Sequence, residues 1–172
     1  VPVVHVDSES YRMGGAANVY HNIITLGGQA ELCGVVGADQ VGKQFLADIR
    51  RSSRYSHGVF VDASRPTIKK TRVVAHNQQI VRFDVEQRHD ISHQLTKKMV
   101  RHVASRLPGA SCLVISDYAK GMITKDLMRA IQELADQHGV PIVVDPKVEH
   151  MKYYEGVAVI TPNHLEAKQA AG

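Results

Sequence analysis

The stretch "SCLVISDYAKG" (residues 111–121) sets an unbroken apolar run against a polar cluster that ends in glycine. An apolar run of this length, closed by a turn, reads as a strand buried on both faces. The pattern recurs downstream: "PIVVD" (141–145) runs into Pro146-Lys147, and "GVAVIT" (156–161) runs into "TPNHLE" (161–166). Between the first two lies a 3.6-period segment over 124–138, followed by Gly139 and Pro141, a pairing that stops a helix. Upstream, "AELCGVVG" (30–37) and "GVFVD" (58–62) are also strand-like, and helical patterns occupy 16–26, 40–53 and 93–107. Apolar strands alternating with helices predict an α/β fold, a three-layer, mostly parallel sheet covered on both faces.

One stretch breaks the rhythm. Residues 66–86, "PTIKKTRVVAHNQQIVRFDVE", alternate with period two around "HNQQ" and predict an antiparallel hairpin. Ile68, Val73, Ile80, Val81, Phe83 and Val85 would make it a half-exposed ribbon, and "VPVVHV" at residues 1–6 reads as a further strand beside it. Such a small sheet serves as a lid, a dimer surface, or both. Arg82 and Asp84 share one of its faces by period two, while Gln79 falls on the other unless the turn re-aims it.

Composition narrows the class. The chain has 172 residues, 44% hydrophobic and 22% charged, enough for one domain with a real core. No apolar run approaches the ~20 residues of a membrane span, and "VPVVHVDSES" (1–10) shows no basic n-region and no signal-peptide h-region. The net charge of +4 is scattered, and the nine aromatics (three Phe, six Tyr) do not interleave with the cations, which argues against nucleic acid and suits small anionic ligands. Cys33 and Cys112, each in an apolar run, are expected to be buried free thiols of a cytoplasmic protein. The ten histidines show no metal-ligand spacing and read as solvated or core residues.

Ligands of α/β sheets bind beyond the carboxyl edge of the strands. Three strands here end in polar clusters, bringing Asp117, Asp145 and Glu166 beside Lys120 and Lys147, a mixture suited to a phosphorylated substrate and a magnesium–nucleotide. "GADQVGKQ" (37–44) imitates a phosphate-binding loop, but Gln44 stands where a magnesium-binding hydroxyl is needed, so a strand–turn–helix junction is the better reading. In "RMGGAANVYHNIITLGG" (12–28), Gly14 and Gly15 precede a helix and Asn18 offers an amide, which can donate to and accept from a sugar hydroxyl.

Taken in order, these pieces resemble the ribokinase/PfkB superfamily of carbohydrate kinases. The resemblance rests on Gly14-Gly15, Asn18, Gly27, the Gly37-x-Asp39-x-x-Gly42 element and the Asn163-x-x-Glu166 motif. More narrowly, "NQQ-x-x-R-x-D", "SDYAKG", "VDPK" and "TPNHLE" are similar to bacterial D-glycero-D-manno-heptose 7-phosphate kinases, which work in ADP-heptose and lipopolysaccharide synthesis. The resemblance implies ATP and Mg2+ as cofactors and transfer to the C1 hydroxyl. It implies that Gly14, Gly15, Asn18, Gln79, Arg82, Asp84, Asp117 and Lys120 bind the sugar phosphate. Asp145, Lys147, Asn163, His164, Leu165 and Glu166 would face the ATP phosphates and magnesium, with no direct metal ligand. It further implies a homodimer through the lid.

Tyr20 and Met13 depart from the family pattern, Tyr20 being expected to crowd α-helical packing or to point outward. The family's Gly-Ala-Gly-Asp, whose Asp is the catalytic base, does not occur in these residues, and that Asp is expected beyond Gly172. The expectation is therefore a single-domain fragment, incomplete at both ends and inactive alone, with lid strands about 1–12 and 66–86 and a core about 13–65 and 87–172. Another sugar kinase, or a non-catalytic sugar-phosphate-binding paralogue, are the alternatives.

Overall fold

A computed structural model describes residues 3–52, 57–75 and 78–171. The elements follow in the order α1 (Ala16–Thr25), β1 (Gly34–Val36), α2 (Gln40–Ser52), β2 (Val59–Val61), β3 (Lys69–Ala75), β4 (Gln78–Val85), α3 (His93–Arg106), β5 (Leu113–Ser116), α4 (Lys125–His138), β6 (Ile142–Asp145), a 3-10 segment (Val148–Tyr154), β7 (Val159–Ile160) and α5 (His164–Ala171). The parallel strands form two ladders, β1–β2 and β5–β6–β7, and β3–β4 form the antiparallel ribbon.

The main core lies between β5–β7 and helices α3 and α4. Leu95, Met99 and Val103 recur at i, i+4 and i+8 on α3, so one stripe faces the sheet and meets Leu127, Met128, Ile131 and Ala135 of α4. Each buried Leu, Ile, Met or Val among them contributes about 1.5–3 kcal/mol. Both helices begin at a hydroxyl: Ser92 Oγ accepts from Leu95 N (3.3 Å) and Thr124 Oγ1 accepts from Leu127 N (3.1 Å). α4 ends where Gly139 turns left-handed (φ 66°), as the glycine–proline signal predicts. A smaller cluster joins Ala17, Tyr20, Leu32 and Ile49.

Several expectations change. Residues 3–14 carry neither helix nor strand, so the strand expected over 1–6 is not formed there; the exposed valines of "VVHV" find no ladder to join. On the second face of β5–β7, Val114 and Val159, which lie on either side of Val143 in the register, are 43% and 48% exposed, so the sheet is only partly covered at these residues. Tyr20 does not point out but is buried at 4% exposure in the α1 cluster, its hydroxyl without a partner among the described residues. Cys33 is half-buried, and burial pushes its thiol up to about 12, whereas Cys112 is exposed because it precedes β5 rather than lying in it.

In the ribbon, a bulge shifts the register between Val73 and Val74: Val73 faces Val81 but Val74 faces Gln79, leaving Ile80 as the extra residue. Cross-strand partners share a face, so the bulge moves Gln79 onto the side of Arg82 and Asp84. The turn residues His76 and Asn77, part of "HNQQ", lie outside the described residues. So does Gly172, the residue beyond which the family resemblance puts the catalytic aspartate.

Candidate functional site

Three separate parts of the chain meet at the loop that follows β5. The first is the start of α1. Gly15 holds φ 56°, a left-handed conformation that costs a side-chain-bearing residue roughly 1 kcal/mol or more. A Cβ on it would sit 3.5 Å from the ring of Tyr118, so Gly15 abuts the β5 loop, while a Cβ on Gly14 would meet nothing within 4 Å. Asn18 is exposed on the first turn of α1, its amide without a hydrogen-bond partner among the described residues.

The second part is the ribbon. Glu86, just beyond β4, accepts from Lys120 Nζ at 2.6 Å, and their side chains are only 18% and 15% exposed. The hydrogen bond from Lys120 holds the Glu86 carboxyl down at about 2, with the charges of Lys120 and Lys70 adding to it. Lys70 Nζ bridges Asp84 (2.6 Å) and Glu86 (3.4 Å), and Arg82 Nε lies 3.2 Å from Asp84. The polar face of the ribbon is thus anchored on the core at its base.

Beneath this seam sits a buried arginine. Arg65 donates from Nε to Asp62 (2.7 Å), from Nη1 to the Lys120 carbonyl (3.1 Å) and from Nη2 to the His89 carbonyl (2.7 Å). One guanidinium therefore fixes both the β5 loop and the segment that returns from the ribbon, an arrangement that a planar five-donor group makes possible. Ile91 N adds a bond to the Gly121 carbonyl (2.8 Å).

The third part is the carboxyl edge of β5–β7. Asp117 is internal, its side chain 1% exposed. Its Oδ2 accepts from His150 Nδ1 (2.6 Å) and from the Tyr154 hydroxyl, and its Oδ1 accepts from Ala119 N (2.8 Å). Burial, then the bond to Asp117, pushes the Tyr154 hydroxyl far up, so it stays a donor. Asp117 thus positions the loop, and both of its oxygens are occupied. Asn163 and Glu166 form a reciprocal capping box at α5: Asn163 Oδ1 accepts from Leu165 N and Glu166 N (both 3.0 Å), and Glu166 Oε2 accepts from Asn163 N (3.0 Å). Glu166 also pairs with Lys147, which lowers the acid and raises the amine. His164 and Leu165 are exposed on the first turn.

Asp145 differs from these. It is exposed at the end of β6 without a side-chain hydrogen bond among the described residues. Partial loss of solvent raises its carboxyl, repulsion from Glu166 and Asp117 adds to this, and Lys147 opposes. A cation there would relieve that repulsion, so Asp145 with Lys147 fits a divalent cation carrying nucleotide phosphate. Among the described residues no three His, Cys, Asp or Glu side chains cluster as a ready metal site.

The element that imitates a phosphate loop has a different use. Asp39 accepts from Gly42 N (2.8 Å), Thr67 N and Thr67 Oγ1 (both 2.7 Å), and a Cβ on Gly42 would come within 2.3 Å of the Gly37 carbonyl. Its glycines serve close packing, and its aspartate ties the β1–α2 turn to the base of the ribbon. Sequence reasoning missed Asp62, Arg65, Glu86, His150 and Tyr154. Glu86 was reachable by extending the period of Arg82 and Asp84; the spacing of Asp62 and Arg65 hinted at a pair, not at its burial.

The profile of the pfkB family carbohydrate kinases matches residues 1–172. The chain is 39% identical over 170 residues to the bifunctional protein HldE of Helicobacter acinonychis (strain Sheeba), covering 99% of this chain and 37% of that protein. It is likewise 39% identical over 171 residues to HldE of Geotalea uraniireducens (strain Rf4), covering 99% and 35%. It therefore spans little more than a third of the curated relatives it matches. Among solved structures it superposes on phosphofructokinase-2 from Escherichia coli (TM-score 0.69, 19% identity, 98% of this chain and 58% of that one). It also superposes on a putative ribokinase from Agrobacterium tumefaciens (TM-score 0.68, 18% identity, 100% and 56%). With the profile running its whole length and the fold agreeing, the chain belongs to the pfkB family of carbohydrate kinases.

Proposed function

We propose that this chain forms the sugar-phosphate side of an ATP-dependent kinase that phosphorylates D-glycero-D-manno-heptose 7-phosphate at C1, in the cytoplasm. The observation that carries the reading is the seam between Glu86 and Lys120, which sets the polar face of the ribbon against the loop reached also by Gly15. The ordered motifs and the identity to HldE proteins over nearly the whole chain support the heptose assignment.

Within this reading, Asn18 and Gln79 hold sugar hydroxyls and Arg82 meets the phosphate, with Asp84 keeping Arg82 and Lys70 in place. Gly14 leaves room for the ligand to approach the backbone. Asp117 acts through the loop rather than on the substrate. Asp145 and Lys147 face magnesium and the ATP phosphates, with Glu166 behind Lys147; when bound, the nucleotide supplies the phosphoryl group. These residues supply positioning and charge neutralisation, the larger part of what phosphoryl transfer needs. The sequestered Asp117 is unsuited to deprotonate a sugar hydroxyl, and the 172 residues alone are proposed to bind without turnover. The open apolar side of the ribbon is the proposed pairing surface for a second copy.

The test is ADP release by the full-length protein with magnesium, ATP and a panel of heptose 7-phosphate, fructose 6-phosphate and ribose. Preference for heptose 7-phosphate by at least about tenfold in kcat/KM is expected. Preference for either other sugar would overturn the substrate, and release of ADP by residues 1–172 alone would overturn the claim of inactivity.

A further inference from the structure

Arg72 and Arg82 are directly opposite partners across the ribbon, on the face that also carries Lys70, Gln79 and Asp84. Like charges placed opposite one another destabilise a sheet pair, so this pairing needs a compensating anion. Among the described residues the chain provides one for Arg82 alone, in Asp84, which Lys70 shares. Asp84 is engaged by Lys70 and Arg82, and Glu86 by Lys120 and Lys70. Arg72 is exposed, and its side chain has no ion pair or hydrogen bond among the described residues. Lys70, Arg72, Arg82 and Lys120 thus share two carboxylates, Asp84 and Glu86, and the face is left with surplus positive charge. A phosphate monoester carries about −1.5 to −2 near neutral pH and offers three acceptor oxygens, and paired guanidinium forks match its geometry.

The bulge adds direction. By re-aiming Gln79 it sets an amide next to the two arginines on the same face. Glu86, on the same side at the base, touches the core loop through Lys120. The four residue steps from Arg82 to Glu86 span about 13 Å of extended chain, so the arginine pair stands away from the seam between Glu86 and Lys120.

We propose that Arg72 and Arg82 together clamp the phosphate already present on the sugar substrate, making Arg72 a determinant of phosphorylated over unphosphorylated sugar. This deepens the proposed function and rests on it for the identity of the sugar, though not for the presence of the phosphate.

The experiment uses the full-length protein and its Arg72→Gln and Arg72→Lys variants, with heptose 7-phosphate and unphosphorylated heptose as substrates. The preference of the wild type for the phosphorylated sugar is expected to shrink at least tenfold in Arg72→Gln, chiefly through KM, with part of it restored in Arg72→Lys. A second measurement guards against misfolding: in phosphate-free buffer the Tm of Arg72→Gln should equal or exceed that of the wild type, because a repulsion is removed. Added inorganic phosphate should raise the Tm of the wild type more than that of the variant. An unchanged sugar preference, or equal stabilisation by phosphate, overturns the clamp. If heptose 7-phosphate is no substrate yet inorganic phosphate or fructose 6-phosphate still stabilises the wild type selectively, the substrate assignment fails and the clamp stands. If heptose 7-phosphate turns over and Arg72→Gln leaves its KM alone, the clamp fails and the substrate assignment stands.

Discussion

The carboxyl edge of β5–β7 and the β3–β4 ribbon carry equally polar sequences, yet their side chains are used in opposite ways. At the edge, Asp117, Asn163 and Glu166 are consumed by the fold: their oxygens accept from Tyr154, His150, Ala119, Lys147 and backbone N–H groups. Along the ribbon, all eight residues of β4 are exposed, and the side chains of Arg72 and Gln79 have no hydrogen-bond partner among the described residues. A polar group near a packed core must be satisfied internally, because an unpaired buried one costs about 1–3 kcal/mol. A polar group on a projecting ribbon has water as its alternative and stays available to a ligand. In the proposed function the edge holds the site in shape and the ribbon reads the substrate.

The contrast can be tested by removing one partner from each region. The largest effect is expected at the buried pair. Asp62→Ala strands the Arg65 guanidinium, whose side chain is 4% exposed, and should cost about 3–5 kcal/mol by urea unfolding. A loss below about 1 kcal/mol would show that Arg65 is held by the carbonyls of Lys120 and His89 alone.

An intermediate effect is expected at the seam joining the two regions. The Glu86 carboxyl lies below its usual range, at about 2, so its contribution is complete above the ordinary carboxylate pKa of about 4.5 and is lost as pH falls through about 2. Glu86→Gln should therefore be less stable than the wild type at pH 5, with the gap closing toward pH 2. A gap that persists unchanged at pH 2 would place the effect in packing rather than in charge.

The smallest stability effect belongs to the far side of the ribbon. Phe83 is 52% exposed, and Phe83→Ser should change stability by within about 0.5 kcal/mol while weakening the proposed pairing of two copies, read by sedimentation. A large loss of stability in the monomer would mean that this face packs within one chain, and the contrast would break there.

The α/β alternation was legible because its signals are local. Apolar runs placed β1, β2, β5, β6 and β7, and Gly139 with Pro141 placed the end of α4. "VPVVHV" misled because a β-prone run makes a strand only when a ladder is within reach. In the site, Asn163-x-x-Glu166 could have been read as a capping box from spacing alone, and of the polar residues on that face of the ribbon Gln79, Arg82 and Asp84 were singled out while Lys70, Arg72 and Glu86 were not. What residues 66–86 by themselves determined was a two-faced ribbon, since side-chain period is a property of one strand. Tertiary structure alone decided that a bulge returns Gln79 to the face of Arg82, that Arg72 stands opposite Arg82, and that Arg65 and Asp117 are interior. Register, burial and hydrogen-bond partnership belong to pairs of distant residues, and no single stretch of chain carries them.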